Sequence, residues 1–132
     1  MILSITSNLK TKRYPENIPY EKIKNHLLGK NYELSLVFIG DKLSKKLNYE
    51  FRGIDKPTDI LTFPISEDMG EIFINLGYAY KKAKKFDREP ENYIAFVFIH
   101  GLAHILGYDH ENDREAEEME KFEEKIRKKF KI

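Results

Sequence analysis

A chain of 132 residues, 41% of them hydrophobic, is long enough to bury a core and suits one domain spanning 1–132. Charged residues make up 34%, but 23 Lys and Arg against 22 Asp and Glu leave a net charge of +1, which excludes a global field for nucleic acid and leaves only local clusters. There is no cysteine, which excludes disulfides and thiolate metal sites.

The opening residues, Met1 to Thr6, lack the basic start and long apolar region of a signal peptide. The longest mostly apolar run, Tyr93 to Gly107, is too short to span a bilayer and carries two histidines. A soluble, cytoplasmic protein without a membrane partner is expected.

Ile2 to Ser7 is β-rich and predicts a first strand. Asn8 to Pro19 is polar, with two prolines, and reads as a loop. A helix follows from Tyr20 to Leu28 and stops at Gly29; His26, within it, reads as an ordinary half-buried histidine. Glu33 to Ile39 places Leu34, Leu36 and Phe38 on one face, as a strand does. Asp41 is a plausible N-cap for a helix to about Phe51, with Leu43 and Leu47 on its inner stripe. Arg52 to Asp59 is a loop with Gly, Pro and charges. Ile60 to Ile65 predicts a strand whose Pro64 suggests an edge or an end, and Gly70 to Asn75 a further strand.

Leu76 to Phe86 is helical in pattern and carries a basic cluster, Lys81, Lys82, Lys84 and Lys85. The plain reading of that cluster is a solvated helix face. Asp87 or Glu89, with Pro90, marks the next helix start. That helix runs unbroken to Gly107 and is apolar on most sides, so it belongs at the centre of the fold. Asn112 and Glu115 resemble a capping box for a last helix, along which Ala116, Met119, Phe122, Ile126 and Phe130 recur at helical spacing. The order of elements gives an α+β fold: a small four-stranded mixed sheet with about five helices around one buried helix.

The chemistry concentrates in His100-Gly101-Leu102-Ala103-His104-Ile105-Leu106-Gly107-Tyr108-Asp109-His110. Positions i and i+4 share a helix face, so His100 and His104 can grip one ion. Gly107 suits the left-handed residue that ends a helix and lets the chain bring His110 back. Three neutral imidazoles suit Zn2+ and leave an open position, the mark of a catalytic site; Ni2+ or another divalent metal also binds imidazole. Asp109 and Asp113 are candidate fourth ligands, and Asp109 could equally orient an imidazole. The spacing is that of metzincin peptidases, whose signature places a glutamate general base after the first histidine. Here that residue is Gly101, so a zinc peptidase lacks its proton acceptor.

The same eleven residues resemble the H-G-x-L-H-L-x-G-Y-D-H signature of the YbeY family of endoribonucleases. A second segment agrees: Asn48-Tyr49-Glu50-Phe51-Arg52-Gly53, then Lys56-Pro57-Thr58-Asp59-Ile60-Leu61-Thr62-Phe63-Pro64, close to the family's N-x-x-[YF]-R and K-x-T-D-V-L-S-F-P. Gly70-Glu71-Ile72 stands where the family has G-D-I, and matching segments span about residues 48 to 120. Ala103, Glu71 and Thr62 depart mildly from the pattern and spare every histidine and the arginine. The resemblance implies a zinc-dependent, single-strand-specific endoribonuclease of 16S rRNA 3′-end maturation and ribosome quality control. It implies His100, His104 and His110 as metal ligands and Arg52 as the matching functional arginine, whose bidentate fork suits a phosphate. Lys56 and the lysines at 81, 82, 84 and 85 would then guide single-stranded RNA, with the ribosome or ribosomal proteins as partners. A non-catalytic ribosome-assembly factor with a zinc site is the competing reading.

Overall fold

The computed structural model describes residues 2–9 and 13–132. Its elements run β1 (Leu3–Ser7), α1 (Tyr20–Leu28), β2 (Glu33–Ile39), α2 (Asp41–Arg52), β3 (Ile60–Ser66), β4 (Met69–Asn75), α3 (Leu76–Lys85), α4 (Pro90–Ile105) and α5 (Asp113–Phe130). This is the α+β arrangement expected from the sequence. The loop expected from Asn8 to Pro19 falls partly on residues 10–12, outside the described residues.

The strands form one sheet in the order β1-β2-β4-β3. β1 pairs with β2, and β2 with β4, in parallel. β3 pairs antiparallel with β4 at one edge of the sheet, and the register shifts between Pro64 and Ser66, as the proline suggested. Alternation buries Leu34, Leu36 and Phe38 of β2, and Ile72 and Ile74 of β4 continue that core.

α4 lies at the centre because it has no polar face to offer until its histidines. Ile94, Phe98, Ile99 and Leu102 are wholly buried, each stabilising the fold by about 1.5–3 kcal/mol. Glu89 caps the helix, accepting from the amides of Glu91 and Asn92, with Pro90 in the first turn. Asn112 likewise caps α5 by accepting from the Glu115 amide at 2.9 Å.

Two local expectations are corrected. Gly40, not Asp41, is the N-cap of α2. The Asp41 carboxylate instead accepts from Asn75 Nδ2 at 2.8 Å, tying α2 to the end of β4. His26 is exposed, because α1 buries the face carrying Tyr20, Ile23 and Lys24, and its ring meets Phe130 at 5.8 Å.

Candidate metal centre and its cleft

The helical turn of α4 sets His100 and His104 on one face, with their Nε2 atoms 3.2 Å apart. α4 ends at Ile105; Gly107 then takes φ +102°, a conformation that strains any side chain. The Tyr108 amide closes the turn on the Ala103 carbonyl at 3.0 Å. Tyr108 also stacks on Phe122 of α5 at 4.5 Å, which fixes where the chain goes next. Asp109 accepts the His110 amide at 2.8 Å. His110 is thereby returned to the other two, its ring 5.4 Å from His104 and 6.1 Å from His100. One nitrogen from each histidine lies within 4.8 Å of the others. Neither Asp109 nor Asp113 belongs to that group.

The donor set fits a cation. The Glu123 carboxylate sits 2.5 Å from His100 Nδ1. An ionised carboxylate only accepts, so Nδ1 carries the proton and Nε2 presents a lone pair. His104 turns its Nε2 toward the same point, 3.2 Å from His100 Nε2. With both Nε2 atoms unprotonated, two lone pairs would face each other at 3.2 Å, an arrangement that a cation between them would relieve. Two nitrogens on one tetrahedral zinc ion lie about 3.3 Å apart, given Zn–N bonds of about 2.0–2.1 Å. Burial, and then the neighbouring His100 and His110, hold His104 below the ordinary histidine range, so it stays neutral and ready to ligate.

The three histidines line a cleft of about 550 Å³. Its other walls are Phe51 and Arg52 at the end of α2, and the chain from Thr58 to Pro64. Arg52 is therefore brought into one cleft with the histidines, across about fifty residues of sequence. Two buried polar residues of α2 hold that wall. Ser44 Oγ donates to the Thr58 carbonyl at 2.9 Å and accepts the Thr58 amide at 3.0 Å. Asn48 donates to the Lys56 carbonyl at 2.8 Å. Asp59 is held from the other side by Lys82 at 3.3 Å.

Gly101 lets α4 pack closely on the sheet. A Cβ there would lie 2.7 Å from Ile60 Cδ1 and 3.1 Å from Ile72 Cδ1. The residue that carries the base in metzincins thus faces the sheet in this chain, where no carboxylate fits.

Lys56, Lys81, Lys84 and Lys85 are exposed and line none of the cleft, and Lys82 is engaged by Asp59. Asp109 lines the cleft beside His110. The residue that touches the His100 ring from behind is Glu123, which the sequence reading passed over. Its signal was present: a carboxylate on the stripe of Met119, Phe122 and Ile126, where the spacing predicts burial. It is 6% exposed.

Comparison with known proteins places this geometry. The family model for endoribonuclease YbeY matches residues 5–131. The chain belongs to the YbeY family. Its relatives include endoribonuclease YbeY of Persephonella marina, 39% identical over 115 residues, covering 80% of this chain and 75% of that one. Endoribonuclease YbeY of Aliarcobacter butzleri is 37% identical over 123 residues, covering 89% and 85%. The solution structure of TM1509 from Thermotoga maritima shares the fold with a TM-score of 0.62 and 27% identity, covering 98% of this chain and 91% of that one. The YbeY match takes in Arg52 and all three histidines of the cleft, and the family's enzymes are hydrolases of RNA. No helix among the described residues is long and apolar enough to cross a membrane.

Proposed function

We propose that residues 1–132 act as one hydrolase domain, a zinc-dependent endoribonuclease that cuts single-stranded RNA in 16S rRNA 3′-end maturation and ribosome quality control. The observation that carries this reading is the presence of Arg52 and the three histidines in one cleft. His100, His104 and His110 would hold the ion, with Glu123 orienting His100. Bound there, a divalent ion supplies Lewis-acid stabilisation of charge on a phosphate. Arg52 clamps the scissile phosphate through its guanidinium fork and stabilises the charge that gathers on it. Thr58 and Thr62 line the same cleft as further hydroxyl donors. The exposed Lys56, Lys81, Lys84 and Lys85 offer salt-screened contacts to the RNA backbone beyond it. The cell compartment is the cytoplasm, and the ribosome or its proteins present the substrate.

The test is parallel assay of single-stranded RNA, duplex RNA and casein, with and without chelator. Chelator-sensitive cutting of single-stranded RNA alone is expected. Chelator-sensitive proteolysis with RNA untouched would overturn the reading in favour of a peptidase. A folded His110→Ala protein that keeps full cellular function without metal would favour a non-catalytic assembly factor. A substrate with 2′-deoxyribose at the cut site separates attack by the 2′-OH, which it abolishes, from attack by water, which it spares.

A further inference from the structure

On α2, Leu43, Leu47 and Phe51 recur at i, i+4 and i+8, the pattern of a buried stripe. Leu43 and Leu47 are half-buried as that pattern requires, but Phe51 is 63% exposed. Phe51 lies in the last turn of α2, which ends at Arg52 with Gly53 as its cap. Phe51 is nonetheless held. Its ring packs on Phe63 of β3 at 5.0 Å, tilted by 58°, and Phe63 packs edge-on against Phe73 at 5.8 Å. One side of the ring is braced and the rest stands bare. The bare part faces the cleft that holds Arg52 and the histidines.

We infer that Phe51, braced by Phe63, is a nucleobase-binding subsite of this cleft, a stacking platform for one unpaired base of the RNA. This rests on the endoribonuclease reading above and names how that site engages its substrate. Every base has a π-face, so an aromatic platform binds without strong sequence preference. In a duplex both faces are already stacked on neighbouring bases, so the platform admits only bases that are free. Phe51 and Arg52 are consecutive at the helix end, so a ring for a base and a guanidinium for a phosphate are set side by side at one wall. The single-strand preference then comes from this chain's own residues rather than from the metal.

The experiment is a double-mutant cycle between protein and substrate, using the metal-loaded protein. Wild type, Phe51→Ala, Phe51→Leu and Phe51→Trp are each assayed with a single-stranded oligoribonucleotide and with a set of oligonucleotides carrying one abasic position. Phe51→Ala should raise KM by roughly 5- to 150-fold, the range for loss of one stacked base, with kcat changed little. Phe51→Trp should restore binding and Phe51→Leu should not. One abasic position should cost the wild type as much as Phe51→Ala does, and cost the Phe51→Ala protein nothing more. Tyr49→Ala, on the same helix and 59% exposed but outside the cleft lining, should behave as wild type. Restoration by Leu, or additive penalties at every abasic position, would overturn the inference and mark Phe51 as an apolar protein-contact residue. Failure of the wild type to bind or cut RNA would overturn the endoribonuclease reading and this subsite together. An unchanged Phe51→Ala beside an active wild type would overturn the subsite alone.

Discussion

Glu123 Oε2 meets His100 Nδ1 at 2.5 Å across the interface of α4 and α5. The carboxylate is almost fully enclosed, so this contact fixes both the tautomer and the orientation of His100. Glu123→Ala is expected to weaken metal binding about 10- to 100-fold. Glu123→Gln keeps an acceptor without the charge and should fall between. Competition with a chromophoric chelator measures both, and an affinity equal to wild type in Glu123→Ala would refute the positioning role.

Arg52 is exposed in the cleft and touches none of the structural networks that hold its wall. Arg52→Ala should therefore leave metal affinity and the unfolding midpoint unchanged while lowering kcat by about 10²–10³-fold, the scale for one lost charge-stabilising donor. Arg52→Lys should recover only part of this, because an ammonium lacks the bidentate fork. Single-turnover cleavage, measured beside a metal titration, separates the two effects.

His104 gives a pH dependence with a definite sign in the chelated protein. Burial and two neighbouring imidazoles push its pKa below 6.5. The unfolded chain then binds the proton more readily than the folded one, so stability rises with pH in this range. The contribution is fully present above pH 6.5 and is lost as pH falls through the lower folded value. Urea unfolding at pH 7.5 and 5.5 should show a smaller loss for His104→Gln than for wild type. An equal loss in both proteins would contradict this account.

Gly101 tests the packing of α4 on the sheet. Gly101→Glu supplies the residue of the peptidase signature, but its side chain would begin against Ile60 and the wholly buried Ile72. An uncompensated buried charge costs on the order of 3–5 kcal/mol, so this variant should unfold at much lower urea and gain no proteolysis. Gly101→Ala gains about 1 kcal/mol of helix propensity against an overpacking cost of about 1–3 kcal/mol. A modest net loss is expected by the same measurement.

His110 lies on the turn after α4 and is exposed. His110→Ala should change the stability of the metal-free protein by no more than about 0.5 kcal/mol, as for other surface positions. It should abolish most of the rise in Tm that added zinc gives the wild type, since that rise grows with the logarithm of metal over Kd. Thermal melts with and without zinc provide the check.

Some of this was legible because it is local. The i, i+4 spacing of His100 and His104, the glycine after α4, the Asn112 cap and the apolar length of α4 are properties of a few neighbouring residues. Periodicity and steric rules turn these directly into structure. The motif around Arg52 added the family, and with it the expectation that a segment fifty residues away shares the site.

What the chain could not declare alone depends on where elements stop and which faces meet. Glu123 shares a stripe with Met119 and Ile126, and only the docking of α5 on α4 turns it into a partner of His100. Asp41 looked like a cap until the end of β4 brought Asn75 to it. Leu43, Leu47 and Phe51 form one continuous stripe in sequence, but Phe51 meets the sheet only through Phe63 and is left 63% exposed in the cleft. The sequence by itself determined the helix that carries His100 and His104 and set both on one face of it, because backbone geometry links residues four apart. Tertiary structure decided which carboxylate orients His100 and which aromatic ring is left free, because burial is set by the edges of neighbouring elements.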